Sequence, residues 1–460
     1  MFPAQTYIER RARLKQQLSS GVVLLLGNEE SPMNYADNGY RFRQDSSFLY
    51  FFGMDYPSLA AWIDLDTGEE ILFGDNLSMD MIVWMGTQPT LEERAEKYGI
   101  HQVQPLDRLA EYIENARKKS RTIHFLPPYR PENKIKLLNL LGIHPDQCAE
   151  KASLDLVRAV IAQREIKSEE EISEIEKAVN ITAEMHFMAM RTARAGMSEA
   201  EVAAKVYQVA LAAGGTISFP IIATINGQTL HNHYHGNTLK EGDLFLLDAG
   251  AETNLHYAGD ISSTFPVSGR FTERQKEIYA ITLNAHEAAI ATLKPGVPFK
   301  EAHLAACRTI FEGLKELGLT KGNTDEAVAV GAHTLFFPCG TGHMLGMDVH
   351  DMEDLGEIWV GYDGVPKSTE FGLKSLRLAK PLKSGFVVTV EPGIYFIPEL
   401  IDRWKAEGKY AEFLNYATIE SYRDFGGIRN EEDLLITESG SRILGDPIPK
   451  KIKEVEIIRQ

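Results

Sequence analysis

Residues 246–261 read LLDAGAETNLHYAGDI and place two aspartates, Asp248 and Asp260, on either side of a polar turn. The run DLFLLD, which ends at the first aspartate, is nearly all apolar and predicts a largely buried strand with a carboxylate at its edge. HYAGDISSTF is rich in strand-forming residues and predicts the returning arm of a hairpin. A turn centred on Asn254 would place the aspartates opposite one another, with Cβ atoms roughly 5 Å apart. Two like charges at that separation require a proton or a cation between them, so the stretch predicts a cation site.

The composition is that of an ordinary globular protein. The chain has 460 residues, of which 44% are hydrophobic and 25% charged, and a formal net charge of -17. Its length predicts two or three domains, and its acidity argues against nucleic acid or an anionic membrane as a partner. Cys148, Cys307 and Cys339 form no CxxC pair, which indicates neither a disulfide framework nor a zinc finger. Because no segment resembles a secretory signal or a membrane span, we expect a cytoplasmic protein.

Two patterns divide the chain. Residues 1–160 alternate helical stretches with short apolar strands, which predicts an α/β domain. Segment 164–190 is highly charged, but its apolar residues are spaced for one face of a helix, so we expect its charges to form a solvated face. Residues 161–460 group their helices and strands separately, which predicts an α+β domain. The sequence therefore predicts a smaller N-terminal α/β domain followed by a larger α+β domain.

Acids and histidines interrupt three further apolar or glycine-rich stretches. PCGTGHMLGMDVHD, residues 338–351, surrounds His343 with glycines that allow close backbone approach, and it carries His350 further on. In GFVVTVEPGIYF, residues 385–396, strict alternation places Glu391 at the end of a strand. Each stretch alone has an ordinary structural explanation, either as a packed loop or as the start of a turn.

The third stretch, GGIRNEEDLLIT (residues 426–437), places Glu431 just before an apolar run. Together the stretches supply two aspartates, one histidine and two glutamates at the edges of strands or loops. Oxygen ligands with a single imidazole suit Mn²⁺, Co²⁺, Fe²⁺ or Zn²⁺ at a two-metal site rather than a thiolate zinc site. Two divalent ions ~3.5–4 Å apart fit between cross-strand carboxylates. HEAAI (residues 286–290) begins like a zincin helix but lacks the second histidine, so we reject it.

The strings DAGAETNLHYAGD, GTGHMLGMDVHD, VEPGIY and GIRNEED occur in this order. As a set they resemble the pita-bread metallopeptidases, specifically the Xaa-Pro aminopeptidase and prolidase group of peptidase family M24B. FRQDSSFLYFFG (residues 42–53) is similar to the strand motif of the N-terminal domain that this group carries. The resemblance covers almost the whole chain. It implies an aminopeptidase P-like α/β domain at residues 1–160 and a pita-bread, creatinase/aminopeptidase-like catalytic domain at residues 161–460.

The resemblance also implies a role for each matching residue. Asp260 and Glu431 would bridge two divalent ions, for which Mn²⁺ is expected and Co²⁺ or Zn²⁺ are alternatives. Glu391 would both bind metal and transfer a proton. The implied metal ligands are Asp248, Asp260, His343, Glu391 and Glu431, and the supporting residues that orient the carboxylates are Arg429 and Tyr395.

The implied site also includes two histidines that contact the substrate and its tetrahedral intermediate. One is His350, and the other lies in HNHYH (residues 231–235). We expect it to be His233, because the family pattern is a histidine followed by an aromatic residue. A count back from Asp248 favours His231, which is the alternative. If the stretch is a strand, its three histidines point to one face, where they could also form a surface chelating patch.

The chain departs from the family pattern in two places. Twelve positions separate the aspartates, where eleven are usual, and we expect loop 252–256 to absorb the extra residue without moving the ligands. Many members also carry a histidine four residues before the metal histidine, where this chain has Cys339. We expect this second departure to change the substrate pocket and not the metal site.

The leading hypothesis is a dinuclear metal-dependent exopeptidase that hydrolyses the Xaa-Pro bond at the N-terminus of peptides. The alternative is an Xaa-Pro dipeptidase, a prolidase restricted to dipeptides. Creatinase-like hydrolysis without metal and a catalytically inactive pita-bread binding module are further alternatives, but the intact ligand set argues against both. The resemblance implies proline-containing peptides or dipeptides as substrates, a homodimer, and an N-terminal domain that limits access to chain ends.

Overall fold

The structure, a computed structural model, describes residues 2–460. The chain divides into two compact units. The N-terminal unit extends to Arg164 and includes the short segment Asp354–Trp359, and the C-terminal unit comprises Glu165–Glu353 and Val360–Gln460. The main division lies slightly beyond the expected boundary, and the short returning segment is a feature that the sequence pattern does not indicate.

The N-terminal unit alternates helices with short strands, which confirms the α/β prediction. Its helices are α1 (Ala4–Gln17), α2 (Ser46–Phe52), α3 (Met79–Met85), α4 (Leu91–Glu96), α5 (Leu109–Lys118), α6 (Pro131–Leu141), α7 (Cys148–Lys151) and α8 (Leu154–Arg164). Its strands are β1 (Val22–Leu26), β2 (Ala60–Asp64), β3 (Glu70–Phe73), β4 (Gln102–Gln104) and β5 (Ile123–His124).

These strands form one sheet in the order β4-β3-β2-β1-β5. The three central strands pair antiparallel, and the two edge strands join parallel to their neighbours. Alternate residues of the central strands share one face and pack there with α5 into an apolar core. The residues of this core are Val22, Leu24, Ala60, Trp62, Ile71, Phe73, Leu109, Ile113 and Ala116.

Within the segment FRQDSSFLYFFG, residues Ser46–Phe52 form a helix and not the strand that the resemblance implies. The carboxylate of Asp45 accepts a hydrogen bond from the backbone N–H of Phe48, which caps the start of α2, and Gly53 ends the helix in the left-handed conformation. Every residue of α2 is buried. A helix buried on all sides shows the same continuous apolar run as a buried strand, and only its caps distinguish the two.

The C-terminal unit has grouped helices and several small sheets, which confirms the α+β prediction. Its helices are α9 (Glu169–Thr192), α10 (Glu199–Ala212), α11 (Glu273–Thr292), α12 (Phe299–Glu316), α13 (Thr324–Ala329), α14 (Glu357–Val360, across the division between the units), α15 (Pro398–Glu407), α16 (Tyr416–Glu420) and α17 (Ile452–Arg459). Its strands are β6 (Thr216–Ile217), β7 (Ile222–Thr224), β8 (Leu244–Ala249), β9 (Ala251–Glu252), β10 (Ile261–Pro266), β11 (Val387–Val390), β12 (Gly393–Tyr395), β13 (Gly427–Arg429), β14 (Glu432–Ile436) and β15 (Ser441–Ile443).

Helix α9 is the helix predicted from the charged segment, but its charges are only partly solvated. It begins with a capping box between Ser168 and Glu171. Glu171 and Glu174 are buried, and Glu171 accepts a hydrogen bond of 2.9 Å from the Tyr257 hydroxyl. α9 packs against α10, and α11 packs against α12. None of the helices within residues 2–460 is long and apolar enough to cross a membrane.

The sheets of the C-terminal unit bring distant parts of the chain together. One sheet has the order β10-β8-β7 and another β11-β14-β15, and β12 pairs with β13 and β6 with β9. The Thr264 hydroxyl of β10 bonds to both the N–H and the carbonyl of Arg429, which ends β13. Next to it, the Glu431 N–H donates to the Ser262 carbonyl at 3.0 Å. The start of β10 therefore lies beside the segment between β13 and β14.

Candidate metal centre

The β8–β10 hairpin carries the two aspartates, but in a register different from the predicted one. Asp248 pairs with Ser262 and not with Asp260. A bridge between Glu252 and Ala258 places the centre of the turn one residue further along than expected. Because residues two apart on a strand share a face, the two aspartates are diagonal neighbours on one face. The prediction that they lie directly opposite is wrong, and the diagonal arrangement leaves more room between them.

The turn of this hairpin contains a residue in an uncommon conformation. His256 has a φ of 63°, in the left-handed region that few residues other than glycine adopt. Its Nδ1 lies 2.7 Å from the Glu252 carboxylate, and the Thr253 N–H donates to the Tyr257 carbonyl at 3.0 Å. Side-chain and backbone contacts thus hold the turn in place. That this loop absorbs the extra residue without moving the ligands stays a prediction.

The five predicted ligands converge in the C-terminal unit, although they come from four stretches of the chain. His343 Nε2 lies 3.3 Å from Asp260 Oδ2 and 3.6 Å from Glu391 Oε1. One donor atom each of Asp260, His343 and Glu431 lies within 4.8 Å of the other two. The charge of Asp248 acts on both glutamates. All five side chains are largely buried, and Glu391 is the most exposed of them at 23%.

Strands β11 and β14 deliver the two glutamates side by side. Val390 pairs with Glu432, so the next residues in line, Glu391 and Glu431, leave the ladder together. β11 ends just before Glu391, and β12 begins after Pro392 as a separate short strand. Pro392 follows Glu391 and has no N–H to donate to a ladder, which is the physical reason for the break.

The same strand β11 also fixes the position of His343. Thr389 donates its N–H to the His343 carbonyl at 3.0 Å, and the Thr389 hydroxyl accepts from the His343 N–H at 3.2 Å. A Cβ atom added to Gly342 would lie 2.0 Å from the Thr389 carbonyl oxygen. The glycine before His343 is therefore required for close backbone approach, as the sequence predicts.

The carboxylates of this cluster are poorly compensated. Burial raises the pKa of Glu391 to about 7, against the pull of His343 and Arg429, and the neighbouring aspartates raise it further. Burial and nearby acids raise the pKa of Glu431 well above its ordinary value. The pKa of Asp248 is also raised, by burial first, despite the adjacent Arg429. Each shift has the same physical cause, which is that several acids share a dry site with one guanidinium.

Two oxygens of the cluster identify the partner that the site requires. Oδ1 of Asp260 and Oε1 of Glu431 are buried and have no hydrogen-bond partner within residues 2–460. A buried carboxylate oxygen without a partner is costly unless a cation binds it. Oxygen donors with one imidazole suit hard or borderline divalent ions. The residues present therefore fit the divalent ions that the sequence predicts.

Arg429 and Tyr395 lie beside the predicted ligand Asp248 and contact each other. Arg429 Nη2 donates to Asp248 Oδ2 at 2.5 Å, Nη1 donates to the Tyr395 hydroxyl at 3.0 Å, and Nε donates to the Ser262 hydroxyl at 2.9 Å. The Ser262 hydroxyl in turn donates to Glu431 Oε2 at 2.8 Å. Arg429 thus connects, directly or through the serine, two acids that belong to different sheets.

Sequence reasoning missed two residues that hold the ligands in place. Ser262 bridges the guanidinium and Glu431, and Asp433 accepts a hydrogen bond of 2.9 Å from the Asp260 N–H. Each missed residue stands two positions after a predicted ligand, and residues two apart on a strand share a face. The period-two pattern of the strands could therefore have identified both.

His350 approaches the cluster from the loop after the metal histidine. Its ring centroid lies 4.3 Å from that of His343, and its Nδ1 lies 2.7 Å from Glu353 Oε2. Burial lowers the pKa of His350 to about 4, and the hydrogen bond from His350 lowers the pKa of Glu353 to about 2. Arg377 forms a close ion pair with Glu353. The sequence did not single out Arg377 or Glu353, because nothing local marks them.

The HNHYH segment is irregular and not the predicted strand. His231 and His233 are both exposed, and His235 Nε2 lies 3.0 Å from the Ile221 carbonyl, so the three histidines do not share a face. Partial burial and the charge of Arg429 lower the pKa of His231, and the charge of Asp248 opposes this shift. These interactions place the His231 imidazole within electrostatic reach of the centre. This electrostatic interaction supports His231, the alternative, and which of His231 and His233 contacts the substrate stays a prediction.

Cys339 stands next to the centre. Burial and the charge of Glu391 raise the pKa of its thiol to about 12, while a hydrogen bond with Tyr395 lowers it. A neutral thiol here is smaller than an imidazole and a weaker hydrogen-bond partner. The effect of this exchange on the substrate pocket stays a prediction.

Fold and geometry together define a metal-dependent hydrolase with a carboxylate-dominated centre. Comparisons with known proteins specify the family. The model of metallopeptidase family M24 matches residues 173–438, and that of the aminopeptidase P N-terminal domain matches residues 7–124. The chain therefore belongs to metallopeptidase family M24, and it carries an aminopeptidase P-type N-terminal domain.

Relatives and solved structures agree with this assignment. An Xaa-Pro dipeptidase of Homo sapiens is 33% identical over 99% of this chain and 93% of its own length. The aminopeptidase PepP of Pseudomonas aeruginosa has a TM-score of 0.82 and 27% identity over 100% of this chain and 98% of its own. Zinc-substituted aminopeptidase P of Escherichia coli, in complex with product, has a TM-score of 0.80 and 28% identity over the same shares. The predicted family and fold class are confirmed.

Proposed function

We propose that this metallopeptidase removes the N-terminal residue from peptides whose second residue is proline, as an Xaa-Pro aminopeptidase. The observation that carries the proposal is the convergence of four acids and one histidine around a space with a single guanidinium. The kinship with an Xaa-Pro dipeptidase and with aminopeptidase P supports the substrate class. The bond before proline is a tertiary amide without an N–H, so its cleavage requires a site that does not depend on that donor.

Five residues would hold two divalent ions. When bound, the ions would polarise the scissile carbonyl and lower the pKa of water, so that a nucleophile is available at neutral pH. Arg429 would keep the carboxylates oriented toward the ions through its contacts with Asp248 and Ser262. The five residues are Asp248, Asp260, His343, Glu391 and Glu431.

Glu391 is the residue that we assign to proton transfer. It is the most exposed of the five, so it can exchange protons with solvent and with a substrate. It also lies beside the metal histidine, 3.6 Å from His343 Nε2. In hydrolysis of a peptide bond, this carboxylate would take a proton from water and deliver it to the departing proline nitrogen.

Two histidines would contact the substrate. His350 is held by the hydrogen bond that its Nδ1 donates to Glu353, which fixes the ring and leaves Nε2 of the neutral imidazole as an acceptor. His231 lies within electrostatic reach of Asp248 and Arg429. His231 could donate a hydrogen bond to the oxygen that becomes negative in the tetrahedral intermediate, and His350 could donate one from Nε2 when its ring is protonated. We assign this role to His231 and keep His233 as the alternative.

The second candidate function, cleavage of Xaa-Pro dipeptides, is favoured by one observation. Arg377 pairs with Glu353, and its charge also acts on His231 and His350. A guanidinium in this position could bind the carboxylate that ends a dipeptide, because arginine matches carboxylate geometry. A longer peptide has no carboxylate there and would depend less on Arg377.

The metal, the assembly and the compartment are part of the proposal. Carboxylate ligands with one histidine favour Mn²⁺, with Co²⁺ and Zn²⁺ as alternatives. We propose a homodimer as the working assembly. Three cysteines without a disulfide within residues 2–460 suit a reducing compartment, and we propose the cytoplasm.

The test is an assay of purified, Mn²⁺-loaded enzyme on Gly-Pro, Ala-Pro and a longer Xaa-Pro peptide. We expect cleavage after the first residue of the longer peptide and none when its N-terminus is blocked. Cleavage inside a blocked peptide would refute the exopeptidase proposal.

A second assay separates the two candidate functions. We expect Arg377→Ala to reduce kcat/KM for Gly-Pro far more than for the longer peptide if the enzyme works as a dipeptidase. Equal losses on both substrates would show that Arg377 acts through Glu353 and His350, and would leave the aminopeptidase proposal in place.

A further inference from the structure

Helix α12 places two potential metal ligands on one buried face, and neither belongs to the five predicted ligands of the carboxylate centre. His303 and Cys307 are four residues apart, so they are neighbours on the helix surface. Both are almost fully buried, at 1% and 0% exposure. His333, in a short 3₁₀ turn (Ala332–Leu335), joins them. One donor atom from each of the three residues lies within 4.8 Å of the other two.

We propose that His303, Cys307 and His333 bind a further divalent ion, Zn²⁺ or a metal of similar softness, which has a structural role.

The observed spacing suits such an ion. Cys307 Sγ lies 3.5 Å from His303 Nε2. With Zn–S distances of about 2.3 Å and Zn–N distances of about 2.0–2.1 Å, tetrahedral geometry separates a sulfur and a nitrogen ligand by about 3.5 Å. The other separations are at most 4.8 Å and would close through rotation of the His333 side chain. Thiolate and imidazole ligands together select Zn²⁺ or Co²⁺ over Mn²⁺.

The hydrogen bonds around the cluster leave it incomplete without an ion. Nδ1 of His333 is buried and has no hydrogen-bond partner among the residues that the structure describes. His303 contacts the Thr341 hydroxyl through Nδ1 at 2.8 Å, which leaves Nε2 directed at the thiol. Metal-bound histidines commonly use the second ring nitrogen in this way.

The position of the cluster explains what an ion there would do. Thr341, the partner of His303, stands two residues before the metal histidine His343. The Thr341 carbonyl also accepts a 2.7 Å hydrogen bond from the Glu391 N–H. An ion bound to α12 would therefore fix the loop that positions one catalytic ligand and contacts another. This role is structural, because the cluster contributes no group to the carboxylate centre.

Cobalt is the probe that separates the two sites, since only this one has a thiolate ligand. Chelator-stripped protein is reconstituted with Co²⁺, and bound metal is measured together with the near-ultraviolet thiolate-to-cobalt charge-transfer absorption. We expect wild-type protein to show this absorption and to bind one equivalent more than the carboxylate centre takes. Cys307→Ser should abolish the absorption and remove that equivalent, and Cys148→Ser, in the N-terminal unit, should change neither.

A stability measurement gives an independent result. His333→Phe replaces an imidazole with an unpaired nitrogen by an apolar ring of similar size, so without metal it should melt at the same or a higher temperature. Added Zn²⁺ should raise the melting temperature of the wild type by more than that of His333→Phe, because only the wild type can bind zinc at this cluster. Absence of the charge-transfer absorption in wild type, its persistence in Cys307→Ser, or equal zinc stabilisation of wild type and His333→Phe would overturn the proposal. The Xaa-Pro activity is not part of this test.

Discussion

Two hairpins of this protein carry acids around their turns, and they differ in whether cationic side chains of the chain pair with those acids. In the N-terminal unit, the β2–β3 hairpin carries Asp64 and Asp66, and Arg121 binds both at 2.6 Å. The hydrogen bond from Arg121 lowers the pKa of Asp64 to about 2. On the other side of the turn, Glu70 pairs with Arg11 and Lys15 at 2.7 and 2.8 Å. Asp64, Asp66 and Glu70 therefore each have a cation supplied by the chain.

The β8–β10 hairpin of the C-terminal unit lacks that compensation. Asp248 and Asp260 are joined by Glu391 and Glu431, and Arg429 is the cation that bonds to an acid of this group. Burial therefore raises the pKa values of Glu391 and Glu431, whereas the hydrogen bond from Arg121 lowers the pKa of Asp64 in the first hairpin. The difference teaches that acids beside a strand turn indicate a metal site only when the chain does not supply their counter-charges.

The largest effect should come from removing the cations that the second hairpin requires. We expect Asp260→Asn, or chelation of the wild type, to lower turnover at least about a thousandfold, because several kcal/mol of charge stabilisation are lost. Metal content by elemental analysis and turnover on an Xaa-Pro peptide are the measurements. Asp66→Asn in the first hairpin is the control and should retain metal and activity. Full turnover in verified metal-free protein would remove the basis of the comparison.

A smaller loss should identify the histidine of the HNHYH segment that serves the second hairpin. We expect His231→Ala to lower kcat by about a hundredfold, as loss of a transition-state donor does, with metal content unchanged. His233→Ala is the matched control and should stay near the wild type. If His233→Ala is the impaired variant and His231→Ala is not, the assignment of the catalytic role to His231 is wrong.

The arginines of the two hairpins should differ in what their replacement changes. Arg429→Lys keeps the charge but loses the contacts to Asp248, Ser262 and Tyr395, so we expect about tenfold weaker metal binding. Arg121→Lys makes the same chemical change in the first hairpin. It should lower the melting temperature without affecting metal affinity. Titration of metal-free protein with Mn²⁺ measures the metal affinity of each variant, and thermal melting measures the stability of Arg121→Lys. Equal Mn²⁺ affinities of wild type and Arg429→Lys would show that the guanidinium does not orient the ligands.

The smallest effect is a pH dependence of opposite sign in the two hairpins. Because the pKa of Glu391 is raised, the folded metal-free protein keeps a proton on this residue up to about pH 7, whereas the unfolded chain releases it near pH 4.5. The stability of the metal-free fold should therefore fall as pH rises from about 4.5 to about 7. The lowered pKa of Asp64 stabilises the fold above pH 3.8, and this contribution is lost as pH falls toward 2.

Thermal melting of metal-free protein across this pH range is the measurement. Glu391→Gln should flatten the decline between pH 4.5 and 7, and saturation with Mn²⁺ should also suppress it. A decline of the same size in Glu391→Gln would assign the pH dependence to other groups.

The sequence alone determined the fold class, the family and the identity of the residues that converge, because these depend on local patterns. Apolar runs that end in Asp248 or Glu391, or that follow Glu431, indicate strands with acids at their edges, and glycines around His343 indicate close backbone approach. The diagonal placement of Asp248 and Asp260 was not readable, since a shift of the turn by one residue changes every cross-strand pair.

Only the tertiary structure decided which neighbours those residues have. Ser262 and Asp433 form hydrogen bonds with the predicted ligands Glu431 and Asp260. Arg377 and Glu353 form an ion pair beside His350, and no local sequence signal marks either of them. Whether an acid is neutralised or left for a metal depends on cations far away in sequence. Arg121 reaches Asp64 across 57 residues and Arg429 reaches Asp248 across 181. Strand pairing brings such groups together, and pairing partners are set by the packing of the whole unit and not by the residues nearby in the chain.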